Sequence, residues 1–317
     1  MRDERPYKEP VLAVVLGSIL IAWSGILVRL ADLPPATAAF LRCAYAVPLL
    51  VALSWWWRRS GRADAMTPTQ VRWAIFAGVS FGADLVLWHV AIGAVGAGLA
   101  TVLGNTQVFL FPFAAWLVWR EKPTRRQAAV LPALIVGIVL ISGVVGADTY
   151  GDDPLLGVVT GLLTAVAYAG FLVGMRAGSP TRGGTPVNTL AVATIVAAIF
   201  SALSGFVLGD FDPSPTWPAH GWMLLLAWGC QVLAWMLISG SLARVRAARV
   251  SILLLVQPLT ALVLGVLVLA EDPSLAQWLG AGTLLFGVLV GGAGRREEQP
   301  APPNVTSPSE PGTAASR

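Results

Sequence analysis

The chain has 317 residues, enough for roughly two units at about 150 residues each. Hydrophobic residues make up 56% of it and charged residues 12%, where a soluble domain carries about 25% charged residues, and the mean hydropathy is +0.72. A soluble globule and a disordered chain are both excluded, and what remains is a polytopic membrane protein whose net charge of +4 gains meaning only from where the charges sit.

A bilayer core about 30 Å thick asks for about 20 apolar residues of helix. Behind a polar tail at 1–10, the first such run is 11–30. It is longer than the apolar region of a signal peptide, so it is expected to stay as the first span. Pro34-Pro35 separates it from 36–57, and the Arg58-to-Pro68 stretch separates that from 70–92. The run 97–119 follows, then Arg120-Glu121-Lys122-Pro123, then 127–146. A short linker, 147–154, holds Asp152-Asp153-Pro154. Five more runs come after it: 155–175, 187–209, 219–241, 250–269 and, past Glu271-Asp272-Pro273, 275–294. Residues 295–317, rich in Pro, Ser, Glu and Ala, read as a disordered cytoplasmic tail. The runs are too long for strands and lack strict alternation. The expected fold class is an all-α membrane protein with ten transmembrane helices.

Lys and Arg set the orientation. With the N-terminus inside, 19 of the 21 basic residues fall in the tails and inner loops, among them Arg58, Arg59, Arg62, Lys122, Arg125, Arg182 and Arg246. The two others, Arg29 and Arg42, lie within or at the end of spans, and the outer loops hold acids such as Asp148, Asp210 and Asp272. Nine of the 13 tryptophans lie near span ends, as an interfacial belt requires. Trp23, Trp88, Trp228 and Trp235 lie deeper. The reading is a multi-pass protein of the cell membrane with both termini cytoplasmic. Its basic charge reports orientation, not nucleic-acid binding.

A shift of 150 residues superposes the two halves. Gln107 falls on Gln257, Glu121 on Glu271, Pro123 on Pro273, Gln127 on Gln277 and Gly137 on Gly287. Five spans per half is an odd number, so residues 155–294 are expected to lie upside down relative to 11–146. Inverted repeats place a substrate site at the repeat interface near the midplane. The stretch WREKPTRRQAAVLPALIVGIVL at 119–140, its second copy LAEDPSLAQWLGAGTLLFGVLV at 269–290, and ADLVLWHVAI at 83–92 resemble the EamA family of ten-span carriers in the drug/metabolite transporter superfamily. The resemblance covers about residues 11–293. It implies secondary transport, commonly export of amino acids, other small metabolites or drugs, and says little of the substrate. The second half departs from the first at Ala234 and Ser239, which stand opposite Asp84 and His89.

Charges inside spans are costly and mark functional candidates. Arg42 lies about 9 Å below the outer end of its span, and Asp84 and Asn105 about 12 Å below theirs, at about 1.5 Å per residue. Either they form an outer-half site, with Asp84 taking a proton or a substrate amine, or Arg42 and Asp84 are a structural pair. His89 reads as an interfacial histidine bonded to a carbonyl. The repeat-related Gln107 and Gln257, with Gln231 at similar depth, suit a neutral or zwitterionic substrate, or else join helices. Trp88 lies one turn above Asp84. Trp23, Tyr168 and Trp235 are candidates to line a cavity. Glu121 and Glu271 read as gates or, preferably, as acids at helix starts beside a helix-stopping proline.

No G-x-x-x-x-G-K-[ST] loop is present, so the chain itself is not expected to hydrolyse ATP. No nucleophile has a basic partner in a motif, and Cys43 and Cys230 match neither metal spacing nor a disulfide framework. No catalytic set, metal or cofactor is expected. The expected partners are a small-molecule substrate and the lipid bilayer. Small-residue spacings such as Gly78/Gly82 and Gly170/Gly174 suit helix packing and would also suit a homodimer.

Overall fold

The computed structural model describes residues 10–61, 65–120, 129, 131–141, 150–179, 187–242, 254 and 256–292. Residues 1–9, the C-terminal tail, the first three residues of the 147–154 linker and Glu121 lie outside them. Among the described residues all regular structure is helical.

The elements are α1 (Pro10–Ala31), α2 (Pro35–Arg59), α3 (Pro68–Val95), α4 (Ala97–Gly104), α5 (Gln107–Trp119) and α6 (Leu131–Ile141) in the first half. The second half has α7 (Pro154–Gly178), α8 (Val187–Leu208), α9 (Ala219–Leu225), a π-helix (Leu226–Leu233), α10 (Ala234–Leu242), α11 (Val256–Leu269) and α12 (Leu275–Gly292). The starts of these helices follow from sequence. Pro35, Pro68 and Pro154 occupy first-turn positions, where a missing N–H costs nothing. Thr67 and Gln70 form a reciprocal capping box, and Asp153 accepts from Leu156 N at 3.0 Å.

Among the described residues seven segments are long and apolar enough to cross a membrane, and Val256–Leu269 is a shorter apolar helix. The expected spans 127–146, 250–269 and 275–294 all run into residues outside the described set, where α6, α11 and α12 are their described parts. Two expected spans are not continuous α-helices. The run 97–119 breaks at Asn105-Thr106, where Thr106 N bonds back to Leu103 O at 3.0 Å and the Asn105 side chain donates to Thr101 O at 2.8 Å. The run 219–241 passes through the π-helix, which changes the phase of the side chains beyond it.

The halves are folded through one another. The main partner of α3 is α7, and α2 and α3 both pack on α8. The segment α9–π–α10 packs on α1 and α2, α11 packs on α1 and α4, α4 and α5 pack on α7, and α12 packs on α6. Exchanging each span with its counterpart 150 residues away maps these pairings onto each other or onto themselves. That is two-fold symmetry expressed in packing. The closeness rests on small residues, because lipid supplies no hydrophobic drive between helices. A Cβ on Gly174 of α7 would sit 2.8 Å from the backbone nitrogen of Ala77 in α3.

Large apolar side chains cover the outside, including Leu117, Val207, Leu267 and Leu275. A soluble protein would not expose them so densely. Inside are two apolar clusters. One is built around Ile26, Ile92, Leu99, Leu103 and Met223, and the other around Leu50, Leu85, Phe171, Leu190 and Ile238. The polar interior lies where they meet.

Candidate functional site

A cavity of about 50 Å³ lies at the seam between the repeats. The first repeat contributes Ser24 from α1, Arg42 from α2, Phe81, Asp84 and Trp88 from α3, and Thr101 and Asn105 from α4 and its end. The second contributes Thr164 and Tyr168 from α7, Trp235 from α10 and Gln257 from α11. At about 10–15 Å³ per water this conformation has room for a few waters, so a metabolite requires the helices to part.

Among the described residues Arg42 and Asp84 are the only charged side chains in the lining, and both are buried. Among the described residues they make no direct ion pair. Arg42 Nε instead donates to Gln231 Oε1 at 3.0 Å. Its guanidinium carbon lies 5.9 Å from the centroid of Phe81 and 5.8 Å from that of Trp88, within cation–π range of both. No protein donor among the described residues reaches the Asp84 carboxylate. The Asp84 backbone carbonyl accepts from Thr164 Oγ1 at 3.5 Å, which ties α7 to α3 at this level. The Asn105 amide nitrogen spends one of its two hydrogens on Thr101 O of its own helix, which leaves its second N–H and its carbonyl oxygen.

One wall is aromatic. Phe81 stacks on Phe171 with centroids 4.4 Å apart, Tyr168 lies parallel to Phe171 at 6.0 Å, and Trp235 meets Phe171 edge-on at 5.2 Å. Such a wall offers flat, polarisable surface beside two opposite charges.

The structure thus brings together Arg42, Asp84, Asn105, Trp88, Tyr168, Trp235 and Gln257 in one cavity. It separates others. Trp23 is 40% exposed on the outer surface of α1, and its expected place in the cavity is corrected. The next residue, Ser24, faces inward in its stead. Gln107 is buried at the start of α5 but does not line the cavity, so the glutamine pair is not equivalent. Gln231 stands behind Arg42. His89 is buried with Nδ1 at 2.5 Å from Leu85 O, turned away from Asp84. Glu271 is buried in the loop before α12 and caps α4, a helix of the other repeat rather than the one that follows it.

Sequence reasoning did not single out Thr101, Thr164 and Phe81 for the lining. Thr164 had a usable signal, since it lies four residues before Tyr168 on the same helical face.

A larger concavity of about 520 Å³ opens between α2 and the segment before α9, with Tyr45, Pro215, Trp217 and His220 in its wall. Its lining holds no Asp, Glu, Lys or Arg among the described residues, and the Tyr45 Oη to His220 Nδ1 contact at 2.6 Å is satisfied within the wall. Volume alone does not make it the site.

No match to a curated protein is found. A solved structure described only as "Crystal structure of protein" superposes with a TM-score of 0.59 at 17% identity, over 91% of this chain and 99% of that one, which is a likeness of fold. The model of the EamA-like transporter family matches twice, at residues 9–143 and 155–291. These two segments are the halves whose helices exchange under the packing symmetry, and they meet at the cavity. With nearly its whole length built from two copies of that module, the chain belongs to the EamA-like transporter family.

Proposed function

We propose that the chain is a secondary active transporter that exports small organic metabolites, amino acids or drug-like compounds, across the cell membrane in exchange for protons. The observation that carries this reading is a buried cavity between two repeats that holds one cation and one anion, Arg42 and Asp84, without a direct bond between them. A buried charge pair that served only to lock α2 to α3 would be expected in contact. Two-fold packing supports ten spans in two inverted repeats, 11–146 and 155–294. The distribution of basic residues supports cytoplasmic termini.

Asp84 is the proton-exchanging group in this reading. Arg42, Asn105, Gln257 and the aromatic wall hold the substrate. The test starts from a metabolite-toxicity panel in overexpressing cells, followed by liposome uptake of each hit. Asp84→Asn should abolish substrate accumulation driven by a pH gradient and spare counterflow, which needs no net proton movement. Equal loss of both, with the same defect and poor expression in Arg42→Ala, would return Asp84 to a structural role. Flux indifferent to an imposed proton gradient would make the protein a facilitative carrier.

A further inference from the structure

Gln231 has an uncommon setting. It is fully buried, lies in the π-helical stretch of the eighth expected span, and points its amide oxygen at Arg42 Nε. Among the described residues its amide nitrogen has no hydrogen-bond partner. A buried amide with an orphaned donor is costly, so the one bond it does make is where its role is to be sought. π-helical turns interrupt the α-helical ladder and occur often at functional sites. Here the turn sets the phase at which Gln231 leaves the helix.

Arg42 has five donor hydrogens and could turn them onto the carboxylate that shares its cavity. Three features keep it off: the bond to Gln231, the Phe81 ring and the Trp88 ring. The rings fit a guanidinium in many rotations. The Gln231 bond is directional and fixes one. Tyr168 is the other ionisable side chain in the lining, and the thiols of Cys43 and Cys230 lie buried nearby without entering it.

We infer that Gln231 is a positioning residue that tethers the Arg42 guanidinium away from Asp84 and so keeps two opposite charges uncombined in the cavity. Each charge is then open to an opposite charge on a transported molecule. The inference rests on reading this cavity as the transport site, but the tether itself can be tested with no substrate.

Dicyclohexylcarbodiimide reacts with protonated carboxyl groups in apolar surroundings, and it serves as the probe. The full-length protein in detergent is treated at one fixed pH, and the Asp84 peptide is quantified by mass spectrometry. Gln231→Leu removes the acceptor while filling the space. Arg42 then falls onto Asp84, and labelling at Asp84 should drop at least fivefold. Gln231→Glu keeps an acceptor for Arg42, and labelling should equal or exceed that of the wild type. In Gln231→Leu/Arg42→Met, with no guanidinium to fall, labelling should recover.

A role confined to packing would move the leucine and glutamate variants in the same direction. Unchanged labelling in Gln231→Leu, or a drop in both single variants, overturns the tether. Should Gln231→Leu fail to fold, a drop in Gln231→Glu alone does so. Undiminished transport in Gln231→Leu with this labelling pattern intact would count against the transport reading and leave the tether standing.

Discussion

Glu271 closes the N-terminus of the helix that begins at Ala97. Its Oε1 accepts from Ala97 N at 2.5 Å and its Oε2 from Gly98 N at 3.1 Å, across 174 residues of sequence. The acceptor comes from the second repeat and the donors from the first. Gly96, with φ of 83°, makes the sharp break between α3 and α4 that exposes those amides. The capped helix then carries Thr101 and Asn105 to the cavity.

Replacing Glu271 by Gln leaves one oxygen for two amides and aims an N–H at another N–H. Thermal unfolding in detergent should show a loss on the order of 1–3 kcal/mol. Burial raises the Glu271 carboxyl above its ordinary value of 4.5, against the pull of the two amides and of Arg29. A carboxyl raised in the folded state binds its proton more tightly folded than unfolded. Its contribution to stability is therefore fully present below the ordinary value and is lost as pH rises through the raised one. Melting temperatures measured across the acidic range should show this slope in the wild type and not in Glu271→Gln. A shared slope would assign it to other groups.

The two repeat-related glutamines should part in behaviour. Gln257→Ala removes an amide from the cavity wall and should depress counterflow more than stability. Gln107 lies off the cavity, and Gln107→Ala should leave counterflow retained. Paired flux and melting measurements check this, and the reverse ranking would refute it.

Gly174 and Gly93 form a contrast in packing. A side chain at Gly174 meets the α3 backbone at 2.8 Å, whereas a Cβ on Gly93 meets nothing within 4 Å. Gly174→Val should destabilise by about 1–3 kcal/mol, and Gly93→Ala should stay within about 0.5 kcal/mol of the wild type. Fluorescence-detected size exclusion after a heat step reads both.

Reporter fusions test the orientation. Those at residues 64, 182 and 247 should report from the cytoplasm, and those at 150 and 214 from the outside. A C-terminus on the outer side would break the inverted-repeat arrangement together with the positive-inside reading.

Helices with strong apolar runs were legible, because the bilayer imposes one length and one composition. Arg42 and Asp84 were legible for the converse reason, being charges where few are tolerated. The break at Asn105-Thr106 was not, since side-chain and backbone bonds there replace the helical ladder without a proline to announce them. Nor was the π-helix, whose residues Leu226 to Leu233 satisfy an α-helical pattern equally well. Trp23 was misplaced because depth along a helix says nothing of the face, and Ser24 beside it points the other way. The Glu271 cap was half legible: the acid beside Pro273 marked a helix start, but the helix it caps lies in the other repeat.

The cross-packing of the halves has a consequence for biogenesis. Within the described residues α2, α3 and α6 find their main neighbours in α7, α8 and α12, elements synthesised later. The first half therefore enters the membrane with its eventual contact surfaces open, and its core closes only when the second half is inserted. Fragments divided at the 147–154 linker should accordingly need each other: expressed alone, each would be cleared by membrane proteases, and expressed together they would persist as a complex.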